Sequence, residues 1–202
     1  MKELSLHLLD IAENSVAAGA TQIRISVDED VSADRLGMRV EDNGRGMDAQ
    51  TAARVIDPFF TSRSTRKVGL GIPLLKAAAE ACGGYLQIDS TPGAGTTLAV
   101  EFQHSHIDRM PLGDLAGTWL ALLISAPQIN WLFEYQAGAE RFLLESAEIT
   151  AVLGDVPLTE PDILAYLRET IQDGLAACKA SPAAAAMPAR KKTIQNNLVS
   201  GE

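Results

Sequence analysis

The run Asp42-Asn43-Gly44-Arg45-Gly46-Met47 directly follows a stretch of alternating apolar residues. Asn-Gly is an ordinary tight-turn signal, so alone the run reads as a turn. A second glycine site changes that reading. Val68-Gly69-Leu70-Gly71 leads into a segment with Pro73 near its start, where bare backbone N–H groups and a helix N-terminus make a cradle for an anion. Between the two lies Asp57-Pro58-Phe59-Phe60-Thr61-Ser62-Arg63, whose adjacent aromatics can anchor one end of a loop carrying Arg63, Arg66 and Lys67. Such a loop can fold over phosphates. Near the start, Asp10 and Asn14 stand four residues apart, which places them on one helix face like two groups sharing a metal-bound water. His7 joins that stripe as a hydrogen-bonding group near Asp10, while Glu13 points elsewhere.

Elements able to position these groups follow from hydrophobic period. Leu4, Leu8 and Ile11 with Leu9, Ala12 and Val16 form helical stripes that Gly19 closes. Period-two alternation predicts strands over 22–28, 36–41, 85–89 and 97–102, each with one apolar face. A sheet apolar on one side needs helices on that side only, and the opening helix and a helix over 73–82 can supply them. The expected architecture is a two-layer α/β sandwich over residues 1–103.

Residues 104–179 read as a small α+β module. It comprises a helix over 112–125, strands over 129–136 and 141–145 around an Ala-Gly-Ala turn, a short helix over 146–153, and a helix over 161–177 with Thr159 as cap and Asp162 placed for a capping box. Trp119, Trp131, Phe133 and Tyr135 read as core, with a partner surface as the alternative. Residues 180–202 combine two prolines, an alanine run and the cluster Arg190, Lys191 and Lys192, which reads as a flexible tail with a solvated charge cluster.

The net charge of -9 argues against a surface that coats DNA. The module over 104–179 carries 4 basic and 11 acidic side chains, a sum of -7 that favours a basic protein partner over DNA or anionic lipid. The longest apolar run, 115–124, falls well short of the ~20 residues that span a bilayer. Cys82 and Cys178 are too few for a disulfide framework or a zinc site, and a reducing cytoplasm is the expected setting.

The four blocks of the opening paragraph, in this order and spacing, resemble the GHKL superfamily of ATP-binding proteins. That superfamily covers sensor histidine kinases, anti-sigma-factor kinases, gyrase-type topoisomerases and mismatch-repair ATPases. The resemblance spans about the first 102 residues. LLDIAENSVAAGA is similar to the N box, VEDNGRGM to the first glycine box, DPFFTSR to the phenylalanine box, and VGLGIPLLKAAAEACGG with TPGAGTT to the second glycine box and closing strand. It implies a histidine-kinase-like ATPase fold, a mixed sheet with helices on one face, and ATP with Mg²⁺ as cofactors. By the same resemblance Asp42 accepts the adenine amino group, and Gly44, Gly46 and Met47 shape the adenine pocket. Thr96 reaches Asp42 or a bridging water, and Asn14 holds Mg²⁺ through its side-chain oxygen. Gly69, Leu70 and Gly71 bind the triphosphate, and Arg63, Arg66 or Lys67 supply the charge of a lid.

Three departures shape the expected activity. The water-activating position of hydrolysing members usually carries Glu, but here it is Asp10, whose shorter side chain makes it a weak candidate base. The N box stands at the start of the sequence, so the resemblance implies no preceding dimerisation helices or phosphoacceptor histidine, and His104 and His106 read as a solvated junction. One flank of the sheet or helix layer is therefore short, a gap the acidic module is expected to cover. Two functions stay open: a signalling phosphotransferase acting on another, unidentified protein, or a nucleotide-gated interaction protein with little turnover.

Overall fold

The computed structural model describes residues 2–57, 71–154 and 156–180. Helix α1 spans Leu4–Ala17 and turns Leu4, Leu8, Ile11 and Ala12 into the core. Strands β1 (Gln22–Asp30) and β2 (Arg35–Asp42) follow as an antiparallel pair. Helix α2 (Ala49–Val55) comes next, then α3 (Gly71–Ala81), β3 (Tyr85–Thr91) and β4 (Gly95–Gln103). The chain continues through α4 (Leu115–Ser125), β5 (Asn130–Ala137), β6 (Glu140–Glu145), α5 (Ser146–Leu153) and α6 (Pro161–Ala180).

All six strands belong to one sheet, in the order β3-β4-β2-β1-β5-β6. The sheet is mixed because β1 runs parallel to β5 while the other pairs are antiparallel. Its inner face carries Ile23, Ile25 and Val27 of β1, Leu36, Met38 and Val40 of β2, and Leu98, Val100 and Phe102 of β4, all buried. Helices α1, α3, α4 and α6 cover that face, giving the expected two-layer sandwich. Arg24, Arg35, Arg39, Glu41 and Glu101 occupy the alternate positions on the outer face, where Arg35 pairs with Asp28 at 2.7 Å and with Glu101 at 3.6 Å.

Residues beyond 104 add to this same sheet. β5 registers Trp131, Phe133 and Tyr135 against Ile23, Ile25 and Val27. These aromatics are fully buried, as is Trp119 of α4, which stacks on Phe133 with ring centroids 5.0 Å apart. They are core, and α4 packs beside α1 over the flank left short. An added Cβ at Gly174 would overlap the Phe142 ring, so the bare backbone there lets α6 lie close on β6.

Several local expectations change. α2 lies where no helix was expected; it buries no residue, so it has no apolar stripe to read, and Asp48 caps it by accepting from the Thr51 N–H at 2.7 Å. α6 begins at Pro161, and its first turn is closed by the Leu164 N–H on the Glu160 carbonyl at 3.0 Å, which places the cap position at Glu160 and not at Thr159. His104 does not sit in a solvated loop: its Nε2 lies 3.2 Å from Glu29 Oε2. Glu29 also accepts from the Tyr135 hydroxyl at 2.6 Å and lies 3.5 Å from Lys179 Nζ, tying β1, β5, the junction and α6 together. Residues 181–202, with the expected tail and its basic cluster, lie outside the described residues.

Candidate nucleotide site

Asp42 ends β2, where the chain leaves the sheet beside the C-terminal end of α1. Its carboxylate is half-buried and held on both oxygens. Oδ2 accepts from the Ser15 hydroxyl at 2.6 Å, and Oδ1 from the Gly44 N–H at 2.9 Å. Asn43 faces the other way and acts as a staple. Its Oδ1 accepts from the Thr21 and Gln22 N–H groups, each at 2.9 Å, while its Nδ2 donates to the Thr21 hydroxyl at 2.9 Å. The Arg45 N–H then donates to the Ala18 carbonyl at 3.0 Å, so the turn is pinned to the end of α1. Neighbouring residues of one motif thus divide between a half-buried carboxylate and a structural clamp.

Backbone proximity shapes the rest of the turn. Gly46 has φ +62°, and a Cβ there would overlap the Thr91 carbonyl; Gly95, at φ +107°, would overlap the Asp42 carbonyl in the same way. Only glycine serves both conformation and contact at these points. The Met47 N–H donates to Ser90 Oγ at 2.8 Å, and that hydroxyl lies 3.1 Å from the Gly95 carbonyl and 2.9 Å from Thr96 Oγ1. Thr96 is the register partner of Asp42 across β2 and β4, but its hydroxyl bond is to Ser90 and not to the carboxylate. Ser90 therefore links the first glycine turn to the strand carrying Thr96.

Along α1, His7, Asp10 and Asn14 run toward α3. An added Cβ at Gly71 would overlap the Asp10 carboxylate, which therefore rests against the first residue of α3 and its positive dipole end. His7 is buried beside it. Burial pulls the imidazole below its ordinary value of 6.5, and the Asp10 charge and a backbone hydrogen bond at Gly71 offset only part of that. Asn14 is half-buried one residue before Ser15, and Glu13 is exposed as its helix angle implied. Among the described residues no group of three or more His, Cys, Asp or Glu side chains could hold a metal ion.

The structure thus brings Asp42, Gly44, Gly46, Met47 and Thr96 together with the α1 residue next to Asn14, and joins Asp10 to Gly71. Arg63, Arg66, Lys67, Gly69 and Leu70 lie outside the described residues. Ser15 and Ser90 were missed by the sequence reading. Ser15 has a legible signal: it continues the buried stripe Leu8, Ile11 and Ala12 with a hydroxyl, and a buried hydroxyl needs a partner. Among the described residues no helix is long and apolar enough to cross a membrane.

Comparison with known proteins places this geometry. The chain is 44% identical over 89 residues to the sensor protein kinase FleS of Pseudomonas aeruginosa, which covers 44% of this chain and 22% of that one. It is 32% identical over 115 residues to the non-motile and phage-resistance protein of Caulobacter vibrioides, covering 54% of this chain and 14% of that relative. The chain therefore spans less than a quarter of either curated relative. Among solved structures, the N-terminal domain of a DNA repair protein superposes with a TM-score of 0.52 at 16% identity, over 77% of this chain and 58% of that one, a likeness of fold alone. Residues 2–106, just over half of the chain, match the model of one family, and with the sheet, the opening helix and the first glycine turn in place the chain belongs to the histidine kinase-, DNA gyrase B- and HSP90-like ATPase family.

Proposed function

We propose that the chain binds ATP with Mg²⁺ and serves as the nucleotide-binding unit of a signalling phosphotransferase acting on another protein. The observation that carries this reading is the Asp42 carboxylate, held on both oxygens beside a turn where Gly46 and Gly95 allow close backbone approach. A fixed carboxylate rewards the amino group of adenine and repels the carbonyl that guanine carries in its place. Met47 and Thr96, joined through Ser90, form the adjoining wall.

Asn14 fits a hard, oxygen-seeking ion that takes few protein ligands and completes its shell with phosphate oxygens and water. Gly69, Leu70 and Gly71, with Arg63, Arg66 or Lys67, would meet the triphosphate and supply the lid. When bound, ATP supplies the γ-phosphoryl group, and this chain's residues bind, orient and shield it. The sensor kinase relatives support a protein acceptor, and the -7 sum over 104–179 favours a basic partner over DNA or lipid.

A second reading, a nucleotide-gated interaction protein with little turnover, is favoured by Asp10. Its short carboxylate rests against Gly71 at the start of α3, away from the role of a free general base. Incubation with γ-labelled ATP, alone and with candidate basic partners, separates the two. Label on a partner supports phosphotransfer, and release of inorganic phosphate alone shows hydrolysis. Retention of unreacted ATP by a protein whose partner binding changes with nucleotide supports gating.

A further inference from the structure

Ser15 sits where α1 turns toward the core, and its hydroxyl has a defined partner. The 2.6 Å bond to Asp42 Oδ2 is short, as expected for a hydroxyl donating to a charged oxygen. The Gly44 N–H, two residues on in the same turn, holds Oδ1 at 2.9 Å. One donor on each oxygen sets both the position and the plane of the carboxylate before any ligand arrives. Each oxygen keeps a further lone-pair direction for a ligand donor.

We propose that Ser15 is the positioning residue that gives Asp42 its discrimination for 6-aminopurines. This rests on the reading that Asp42 meets the purine 6-substituent. An acceptor fixed in orientation rewards an N–H at that point and penalises a carbonyl there, because it cannot turn aside. Without the Ser15 hydroxyl the carboxylate is held through Oδ1 alone and can rotate about its Cβ–Cγ bond. It then grips an amino group less well and tolerates a 6-oxo group better. Ser15 therefore acts on the ratio between nucleotides more than on nucleotide affinity as a whole. Its place next to Asn14 also ties the adenine end of the pocket to the residue assigned to Mg²⁺.

The test is calorimetric titration of the full chain with Mg-ATP and with Mg-ITP, whose base carries a 6-oxo group. Wild type should prefer ATP. Ser15→Ala should lower the ATP-to-ITP affinity ratio by about fivefold or more, mostly through weaker ATP binding. Ser15→Thr, which keeps the hydroxyl, should restore most of the ratio. Should Ser15→Ala fail to fold, Ser15→Cys, of similar size with a weak donor, takes its place and should show the same loss. An unchanged ratio in the Ala or Cys variant, or parallel weakening of both nucleotides as a general loosening of α1 would give, overturns the proposal. A wild type that binds neither nucleotide overturns the reading of Asp42 itself, an outcome distinct from a discriminating wild type with an equally discriminating Ser15→Ala.

Discussion

The two ends of the sheet solve opposite problems. At the β2–β4 end, side chains are removed: Gly46 and Gly95 bring backbone against backbone, and short hydroxyls from Ser15, Ser90 and Thr96 fill the remaining space. At the β5–β6 end, space is filled by the largest side chains available. Trp131 stacks on Phe133 at 5.7 Å, Phe133 on Trp119 at 5.0 Å, and Trp119 faces Phe142 at 6.4 Å. Outside that layer Glu134 lies between Arg24 at 2.5 Å and Arg141 at 2.6 Å. Burial pushes the Glu134 carboxyl up, but the two arginines more than offset it and hold it below the usual carboxylate range. One end holds bare backbone and a fixed carboxylate, the proposed nucleotide site; the other stabilises the sheet that carries them. The first should be sensitive to added atoms and the second to lost ones.

Phe133→Ala should give the largest stability change, because it opens a cavity between two indole rings and costs about 3–5 kcal/mol. Urea denaturation measures it, and ATP affinity of the folded protein should be unchanged. Gly46→Ala should do the reverse. Strain at positive φ costs about 1–3 kcal/mol, and the overlap with the Thr91 carbonyl should abolish ATP binding in a protein that still melts cooperatively. Asp114→Ala removes the cap bond to the Gly117 N–H, 2.8 Å, and should cost about 1 kcal/mol with no effect on nucleotide.

Acid should loosen the two ends in separate windows. His7 takes up its proton at lower pH in the folded protein than the ordinary 6.5 at which the unfolded chain does, so stability should fall as pH drops below 6.5 toward the lower folded value, and His7→Gln should flatten this slope. Burial raises the Glu29 carboxyl, but the Tyr135 hydroxyl with Lys179 and His104 bring it below its ordinary 4.5. Stability from that cluster is present above 4.5 and is lost as pH falls through the lower folded value. Melting curves of Glu29→Gln should lack this second decline.

The elements were legible where one face is buried. The alternation of Ile23, Ile25 and Val27, or of Leu98, Val100 and Phe102, marks strand and face together, and the stripes of α1 mark a helix. α2 left no such trace because it buries nothing, and only Asp48 announces it. Period also fixes a face without naming a neighbour. Nothing in residues 130–137 identifies β1, more than a hundred positions earlier, as the parallel partner, so that segment read as a separate module. At the site, Asp42 and its glycines read alone as an ordinary turn and stood out only in company with the second glycine run and the block between them. Ser90 did not, since serine is common and its importance lies in the atoms it touches, and Ser15 is marked only by its place on the buried stripe of α1.

The most direct measurement of the central claim is calorimetric titration of wild type and Asp42→Ala with Mg-ATP, each checked for folding by its melting curve. Loss of a hydrogen bond to a charged acceptor is worth about 1.5–3 kcal/mol, so the variant should bind roughly tenfold to a hundredfold more weakly while melting as a folded protein. A folded Asp42→Ala protein that binds ATP as tightly as wild type would contradict the account, because the carboxylate on which the pocket is built would then not meet the base.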